Sequence, residues 1–172
     1  MAVPPEVNQG LVDSAGDVLP AGFSLRADEF VVTGAVRRPG TVLSTAEMNR
    51  SAQGPVHVHY VTNRCRRLEA VHGVLLHNLL TDIGLALHEA PKMDQLTFAV
   101  LARGDDGYEV LLSWAELDPE FGSCGALLAT RYNGELLPRP TLVMPRDGRG
   151  SRYVRLVERL HVLRVPPIPV QR

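Results

Sequence analysis

Short strand-like segments separated by turn residues constrain the fold more than any other feature of this sequence. The segments "QLTFAVLAR" and "YEVLLSW" flank Asp106-Gly107, and "GALLATRY" and "ELL" flank Asn133-Gly134. Asp-Gly and Asn-Gly favour tight turns with positive φ, which join neighbouring antiparallel strands. The sequence therefore predicts a β-hairpin centred on Asp106-Gly107 and a strand that ends in a turn at Asn133-Gly134, and the proline-bounded "PTLVMP" predicts a further short strand.

A second hairpin is predicted between residues 54 and 72. In "GPVHVHYVT", apolar side chains alternate with His57 and His59, and such alternation places the two sets on opposite faces of a strand. The following "RRLEAVH" predicts the partner strand, joined through a turn at residues 63–65.

Helices are predicted to be short. Ser44 with Glu47, and Ser113 with Glu116, have the spacing of a capping box, which opens a helix. "GVLLHNLLTDIG" has leucines on one helical face and Gly84 as a terminator. "SRYVRLVERLHVLRV" has no clean period; a strand with a bend is the preferred interpretation, and a helical turn is the alternative.

Strands therefore dominate, with short helices irregularly placed between them. This pattern favours an α+β, mainly β fold with mixed or antiparallel sheets over a doubly wound parallel one. The 172 residues suit one domain. We predict an N-terminal arm at residues 1–24, a single domain at 25–165 and an extended tail at 166–172.

Composition restricts the partners. The net charge of -1 creates no strong overall field for nucleic acid or anionic membranes. Two cysteines do not make a disulfide scaffold, and neither a secretory signal nor a segment long enough to span a bilayer is recognisable. We predict a soluble, cytoplasmic protein without nucleic-acid or membrane partners; its small-molecule or protein partner stays open.

The histidines and one cysteine suggest three kinds of chemistry. His57 and His59 share a strand face and could hold a metal with a third ligand, although a polar, solvent-facing strand is the favoured interpretation. Cys65 stands between arginines, which stabilise a thiolate. His72 follows seven residues later and suggests a thiol hydrolase pair, whereas an ordinary turn cysteine is the simpler interpretation. Cys124 is predicted to pack as a small apolar residue.

Arginines also concentrate in "PRDGRGSRYVR". Arg146, Arg149, Arg152 and Arg155 surround two glycines, and forked guanidinium groups with backbone N–H donors can hold a phosphate. The spacing is not that of a P-loop, and a solvated surface loop is the alternative.

The order of "FVVTGAVRRPGTVLSTAEM", "VHVHYVT", "HGVLLHNLL", "DGYEVLLSWAELDP", "ALLATRYNGELLP", "LVMPRD" and "RYVRLVERLHV" resembles the oxidoreductase molybdopterin-binding domain. This is the catalytic domain of the sulfite oxidase family, and the similarity to short bacterial members covers about residues 28–163. It implies a sulfite-oxidase-like molybdopterin-binding fold. It also implies a molybdenum–molybdopterin cofactor with Cys65 as metal ligand, Arg152 assisting phosphate binding, and Asn63 and Arg64 lining the mouth.

The implied function is oxidoreductase chemistry, a two-electron or oxygen-atom transfer at a cysteine-ligated molybdenum. The sequence departs from the family pattern, since no glycine follows Cys65 and only "RRLEAV" separates it from His72. Thr141 also stands where the family has an arginine. The alternative is therefore a domain of the same fold without cofactor that acts as a ligand- or protein-binding module.

Overall fold

The computed structural model describes residues 19–89 and 93–169, and these residues form two β-sheets with short helices between them. The strands are β1 (Glu29–Gly34), β2 (Thr41–Ser44), β3 (Gln53–Val61), β4 (Arg66–Leu75), β5 (Phe98–Gly104), β6 (Glu109–Ser113), β7 (Leu127–Tyr132), β8 (Glu135–Val143) and β9 (Val157–Arg164). The α-helices are α1 (Thr45–Asn49), α2 (Leu76–Ile83) and α3 (Trp114–Leu117). No helix among these residues is long and apolar enough to cross a membrane.

The two sheets differ in strand direction. The five-stranded sheet has the order β2-β1-β9-β5-β6, and β1 pairs in parallel with β9 while its other pairs are antiparallel. The four-stranded sheet has the order β3-β4-β7-β8 and is antiparallel throughout. The predicted mainly β class with mixed and antiparallel sheets and short helices is confirmed.

Both sheets contribute to one hydrophobic core. Both sheets supply fully buried apolar side chains. Phe30 and Leu160 come from the five-stranded sheet, and Val58 and Leu128 come from the four-stranded sheet. Each such side chain contributes about 1.5–3 kcal/mol when it leaves water. The strands can bury these residues because apolar positions recur at every second residue, as Val100 and Ala102 of β5 show.

The local signals of the sequence are realised in the hairpins and caps. Asn133 and Gly134 have φ values of 48° and 87°, the positive values that a tight hairpin turn needs. The Ser44 hydroxyl accepts the Glu47 N–H at 3.2 Å, and the Glu47 carboxylate accepts the Ser44 N–H at 3.0 Å. The same reciprocal bonds open α3, so both predicted capping boxes are confirmed.

Two predicted boundaries were wrong. The helix expected from Gly73 begins at Leu76, and Gly73 to Leu75 continue β4. Gly73 lies so close to β7 that an added Cβ would be 2.2 Å from the Leu128 carbonyl oxygen, and pairing to β7 therefore holds it in the sheet. The expected short strand "PTLVMP" is instead part of β8, which runs through Pro138 and Pro140. β8 is an edge strand of its sheet, where prolines are tolerated.

The described chain has an irregular segment at each end. Residues 19–24 lie outside strands and helices, as do residues 165–169, while 1–18 and 170–172 are outside the described residues. The segment "SRYVRLVERLHVLRV" contains both of its interpretations: Gly150–Arg152 form one 3-10 turn, and Leu156, with a φ of 48°, forms a bend before β9 begins.

Candidate functional site

The tip of the β3–β4 hairpin is built around Thr62. Its N–H donates to the Cys65 carbonyl at 2.9 Å, and its hydroxyl donates to the same carbonyl at 3.0 Å. The hydroxyl also accepts the N–H groups of Arg64 and Cys65 at 3.2 and 3.1 Å. Threonine hydroxyls commonly close turns in this way, so the predicted turn at residues 63–65 is confirmed.

Cys65 is an exposed residue of this turn with a free thiol. Its sulfur lies 3.8 Å from the Thr62 hydroxyl oxygen. Asn63 and Arg64 are exposed beside it. Three of the four residues proposed for a cofactor site thus lie together, but they lie on a protruding tip.

A second arginine-bearing segment packs against this tip. The N–H of Val61 donates to the carbonyl of Gly148 at 2.9 Å, and Val61 forms a parallel bridge with Arg149. Gly150 lies directly on the Tyr60 ring, where an added Cβ would be 2.8 Å from Cδ2. The loop after β8 is therefore held against the last two residues of β3.

This contact collects exposed arginines at one end of the four-stranded sheet. Two come from the loop and three from the tip, and none of them forms an ion pair with a carboxylate of the described residues. We call the set the arginine-rich end: Arg64, Arg66, Arg67, Arg146 and Arg149.

Tyr60, which contacts Gly150, belongs to a cluster of tyrosines. The rings of Tyr60 and Tyr153 are stacked at an angle, with their centroids 4.5 Å apart, and the Tyr153 hydroxyl donates to the Met144 carbonyl at 3.3 Å. Burial raises the pKa of Tyr132 and of Tyr153 well above the ordinary value. These phenols stay neutral at physiological pH and therefore add no negative charge to this part of the molecule.

Arg152 is held by two carboxylates. Its Nε and Nη2 donate to the two oxygens of Asp147 at 2.8 and 2.7 Å, and its Nη1 donates to Glu116 at 2.8 Å. The hydrogen bonds that Arg152 donates to Asp147 contribute most to the raised pKa of Arg152. Burial alone raises the pKa of Glu116, but the Ser113 N–H and Arg152 outweigh it and lower that pKa. Arg152 therefore fixes the loop to α3.

The four residues do not form a pocket suited to a large anionic cofactor. Cys65, Asn63 and Arg64 stand exposed on the tip, whereas such a cofactor needs walls that exclude water. Arg152 directs three donors to carboxylates, which would repel a phosphate. A cavity of about 350 Å³ lies elsewhere, between residues 19–25 and Val31, Arg139 and Arg159, and none of the four lines it.

The histidines do not join Cys65. His57 and His59 are exposed on β3, and His72 lies opposite the beginning of β3, between the pairs that Val71 and Gly73 form. His72 is thus at the far end of the hairpin, about 20 Å from the tip at 3.3 Å per residue. The suggested Cys65–His72 pair was wrong. Within residues 19–89 and 93–169, no group of three His, Cys, Asp or Glu residues is placed to hold a metal.

Cys124 behaves as predicted. It is partly buried, packs against the apolar core and has a free thiol. Its backbone N–H donates to the Glu116 carbonyl at 2.8 Å, which ties the segment before β7 to α3.

Sequence reasoning missed a second charged cluster. Asp94 is 4% exposed, accepts the His88 backbone N–H at 2.8 Å and forms an ion pair with Arg164. Arg164 also contacts the His88 ring at 2.8 Å. Arg164 lies 70 positions after Asp94 and no motif marks it, so the pairing of β9 with β5 is what brings it to the other two residues.

A scan of the chain against protein-family models and a search of curated proteins found no match. The similarity to the molybdopterin-binding domain therefore stays a prediction from segment order. The structure therefore separates the exposed arginine-rich end from Arg152, which is engaged by Asp147 and Glu116.

Proposed function

We propose that this chain is a cofactor-free binding module with a sulfite-oxidase-like fold, and that its arginine-rich end binds an acidic segment of a partner protein. The contact of Val61 with Gly148 and Arg149 carries the proposal, because it joins the two arginine-bearing segments into one surface. The order of strand and helix segments supports the fold assignment.

Charge distribution supports an anionic partner. Residues 63–67 and 146–155 contain seven of the 18 basic side chains and only one of the 19 acidic side chains. The one acid, Asp147, is engaged by Arg152. Clustered positive charge attracts an oppositely charged partner and speeds its encounter.

The chemistry of arginine favours carboxylates as the groups that are bound. A guanidinium presents a planar fork that matches a carboxylate in two parallel hydrogen bonds. A protein segment is favoured over nucleic acid because the chain as a whole has a net charge of -1, so that a long polyanion would meet repulsion beyond the patch.

A binding titration tests the proposal. The probe is a fluorescein-labelled peptide of alternating glutamate and valine, followed by anisotropy. We expect Arg66→Ser with Arg149→Ser to raise Kd about tenfold, since each exposed pair contributes up to about 1 kcal/mol. Raising NaCl from about 50 to about 300 mM should weaken binding further, because salt screens exposed charges.

The matched control removes the same charge elsewhere. Arg37 and Arg38 are exposed in the β1–β2 turn, which bonds to Gly84 and not to the tip. Arg37→Ser with Arg38→Ser should leave Kd within about twofold. Equal losses in both double variants, or a DNA duplex that binds tighter than the peptide, would contradict the proposal.

Metal analysis separates this proposal from the enzyme hypothesis. Protein from a host that makes the molybdenum cofactor should contain no stoichiometric molybdenum. Molybdenum near one equivalent that disappears in Cys65→Ser would overturn the cofactor-free proposal and restore the oxidoreductase hypothesis.

A further inference from the structure

We infer that the free edge of β3 accepts an extended segment of the acidic partner as an additional strand. This inference rests on the proposed function and specifies how the partner is held. It starts from the direction of the backbone groups in the β3–β4 hairpin.

The backbone groups of β3 alternate between β4 and the open edge. Thr62 N–H points towards the β4 side, where it bonds Cys65, while the N–H of Val61 points away and bonds Gly148. Neighbouring residues of an antiparallel strand alternate in this way. The N–H and C=O groups of His59 and His57 therefore point away from β4, as do those of Val61.

The hydrogen bonds of β4 lead independently to the same alternation of backbone groups in β3. Ala70 pairs with His57, and its N–H and C=O bond the Asn133 side chain and backbone on the β7 side. Ala70 therefore offers no backbone bonds to His57. The pair is of the kind whose backbone groups all point outward from the hairpin.

The edge is open between two blocked ends. β3 is an edge strand of its sheet, and its residues His57 and His59 are exposed. The register shift between Gln53 and Val56 interrupts the ladder at the start, and Gly148 covers Val61 at the end. Among the described residues, no backbone group outside β4 bonds the segment between them. An exposed row of N–H and C=O groups is a template for another strand.

Charge complementarity specifies the occupant. A strand added beside His57 and His59 would run directly towards Gly148 and Arg149 at one end. Arg66 pairs with Val61 and lies at the same end of the hairpin. An acidic side chain at that end of the added strand meets guanidinium groups, whereas a basic segment meets like charge. The surface therefore fits an extended acidic segment about four residues long at its paired part, given the short open edge.

Proline at position 59 provides a sharp test. His59→Pro removes an N–H that points away from β4, so the hairpin keeps its own hydrogen bonds, and prolines are accepted on such edges. The preceding Val58 is already in a strand, the conformation that a following proline favours. His59→Ala is the matched control, because it removes the same side chain and keeps the N–H.

The titration uses the glutamate–valine peptide. We expect His59→Ala to bind within about twofold of the unaltered chain and His59→Pro to bind at least tenfold more weakly. Equal Kd values for the two variants would overturn the strand addition. The proposed function survives that outcome if Arg66→Ser with Arg149→Ser still weakens binding; if the unaltered chain does not bind the peptide, both fail.

Amide hydrogen exchange gives a readout that needs no variant. Saturating peptide should slow exchange of the His57 and His59 amides at least tenfold and leave the neighbouring Val58 amide, already bonded within the hairpin, little changed. Unchanged exchange at His57 and His59 in the saturated chain would overturn the inference, even if His59→Pro fails to fold.

Discussion

The arginines of this molecule occur in two settings. Arg152 and Arg164 each contact carboxylates at hydrogen-bond distance, and they tie distant elements together. The arginines of the arginine-rich end are exposed at the end of the four-stranded sheet. The same side chain is structural in the first setting and available for a partner in the second, and the local supply of carboxylates makes the difference.

Arg152 and Arg164 differ in how deeply their carboxylate partners are buried. The aspartate that pairs with Arg164 is 4% exposed, whereas the partners of Arg152, Asp147 and Glu116, are 19% and 41% exposed. A buried carboxylate that loses its cation keeps an uncompensated charge, while a half-exposed one is solvated by water. The effect of each arginine on stability should therefore follow the burial of its partner.

The largest effect is expected at the buried pair. Arg164→Met keeps the length of the side chain but removes the charge beside Asp94, and it should lower Tm by on the order of 10 °C. Differential scanning calorimetry measures this change. The exposed substitution Arg149→Met serves as control, and a similar loss in both would remove the distinction between the two settings.

Acid should weaken the same cluster. The His88 N–H, followed by Arg164, lowers the pKa of Asp94 below its ordinary value of 3.8. The stabilisation by this carboxylate is therefore complete above about pH 4 and is lost as pH falls through the lowered pKa.

Thermal unfolding of the unaltered chain and Asp94→Asn at several pH values checks this. The Tm difference should be large near about pH 6 and should shrink as pH falls through the lowered pKa of Asp94, because a protonated aspartate is as neutral as asparagine. The exposed Glu135→Gln is expected to have little effect at any pH. A Tm difference for Asp94→Asn that stays constant with pH would contradict the assignment.

A smaller effect is expected at Arg152. Arg152→Met should reduce the free energy of unfolding by about 1 kcal/mol or less, because the pairs with Asp147 and Glu116 are partly exposed. Urea unfolding of this variant beside Glu116→Gln provides the measurement. A loss of stability as large as that of Arg164→Met would show that burial of the partner carboxylate does not determine the effect of these two arginines on stability.

The smallest effect on stability is expected at the exposed arginines. Arg64→Ser or Arg149→Ser should leave the free energy of unfolding within about 0.5 kcal/mol. A clear destabilisation in urea would mean that these arginines hold the tip together, and it would weaken their assignment to a partner.

The sequence predicted best what short-range chemistry decides. Asn133-Gly134 formed its turn because both residues tolerate positive φ, and Ser44 capped its helix through a residue three positions away. The local pattern wrongly predicts a helix at Gly73, because the residue of β7 that pairs with it is more than fifty positions away in the sequence. Tertiary pairing overrode a local helical pattern there.

The candidate site was predictable in position but not in its interactions. The arginines around Cys65 and Gly148 are visible in the sequence, and the structure brings them to one end. Neither the contact of Arg152 with Glu116, 36 positions earlier, nor the distance of His72 from the tip has a sequence signal. Both depend on how separate strands align.

Mapping the bound peptide by NMR tests the central claim most directly. Amide chemical shifts of the chain are compared with and without the glutamate–valine peptide at saturation. We expect changes concentrated at residues 57–67 and 146–150, with Asp94 and Arg164 unaffected. Changes centred on the cavity beside Arg139, or spread evenly over all exposed arginines, would contradict it.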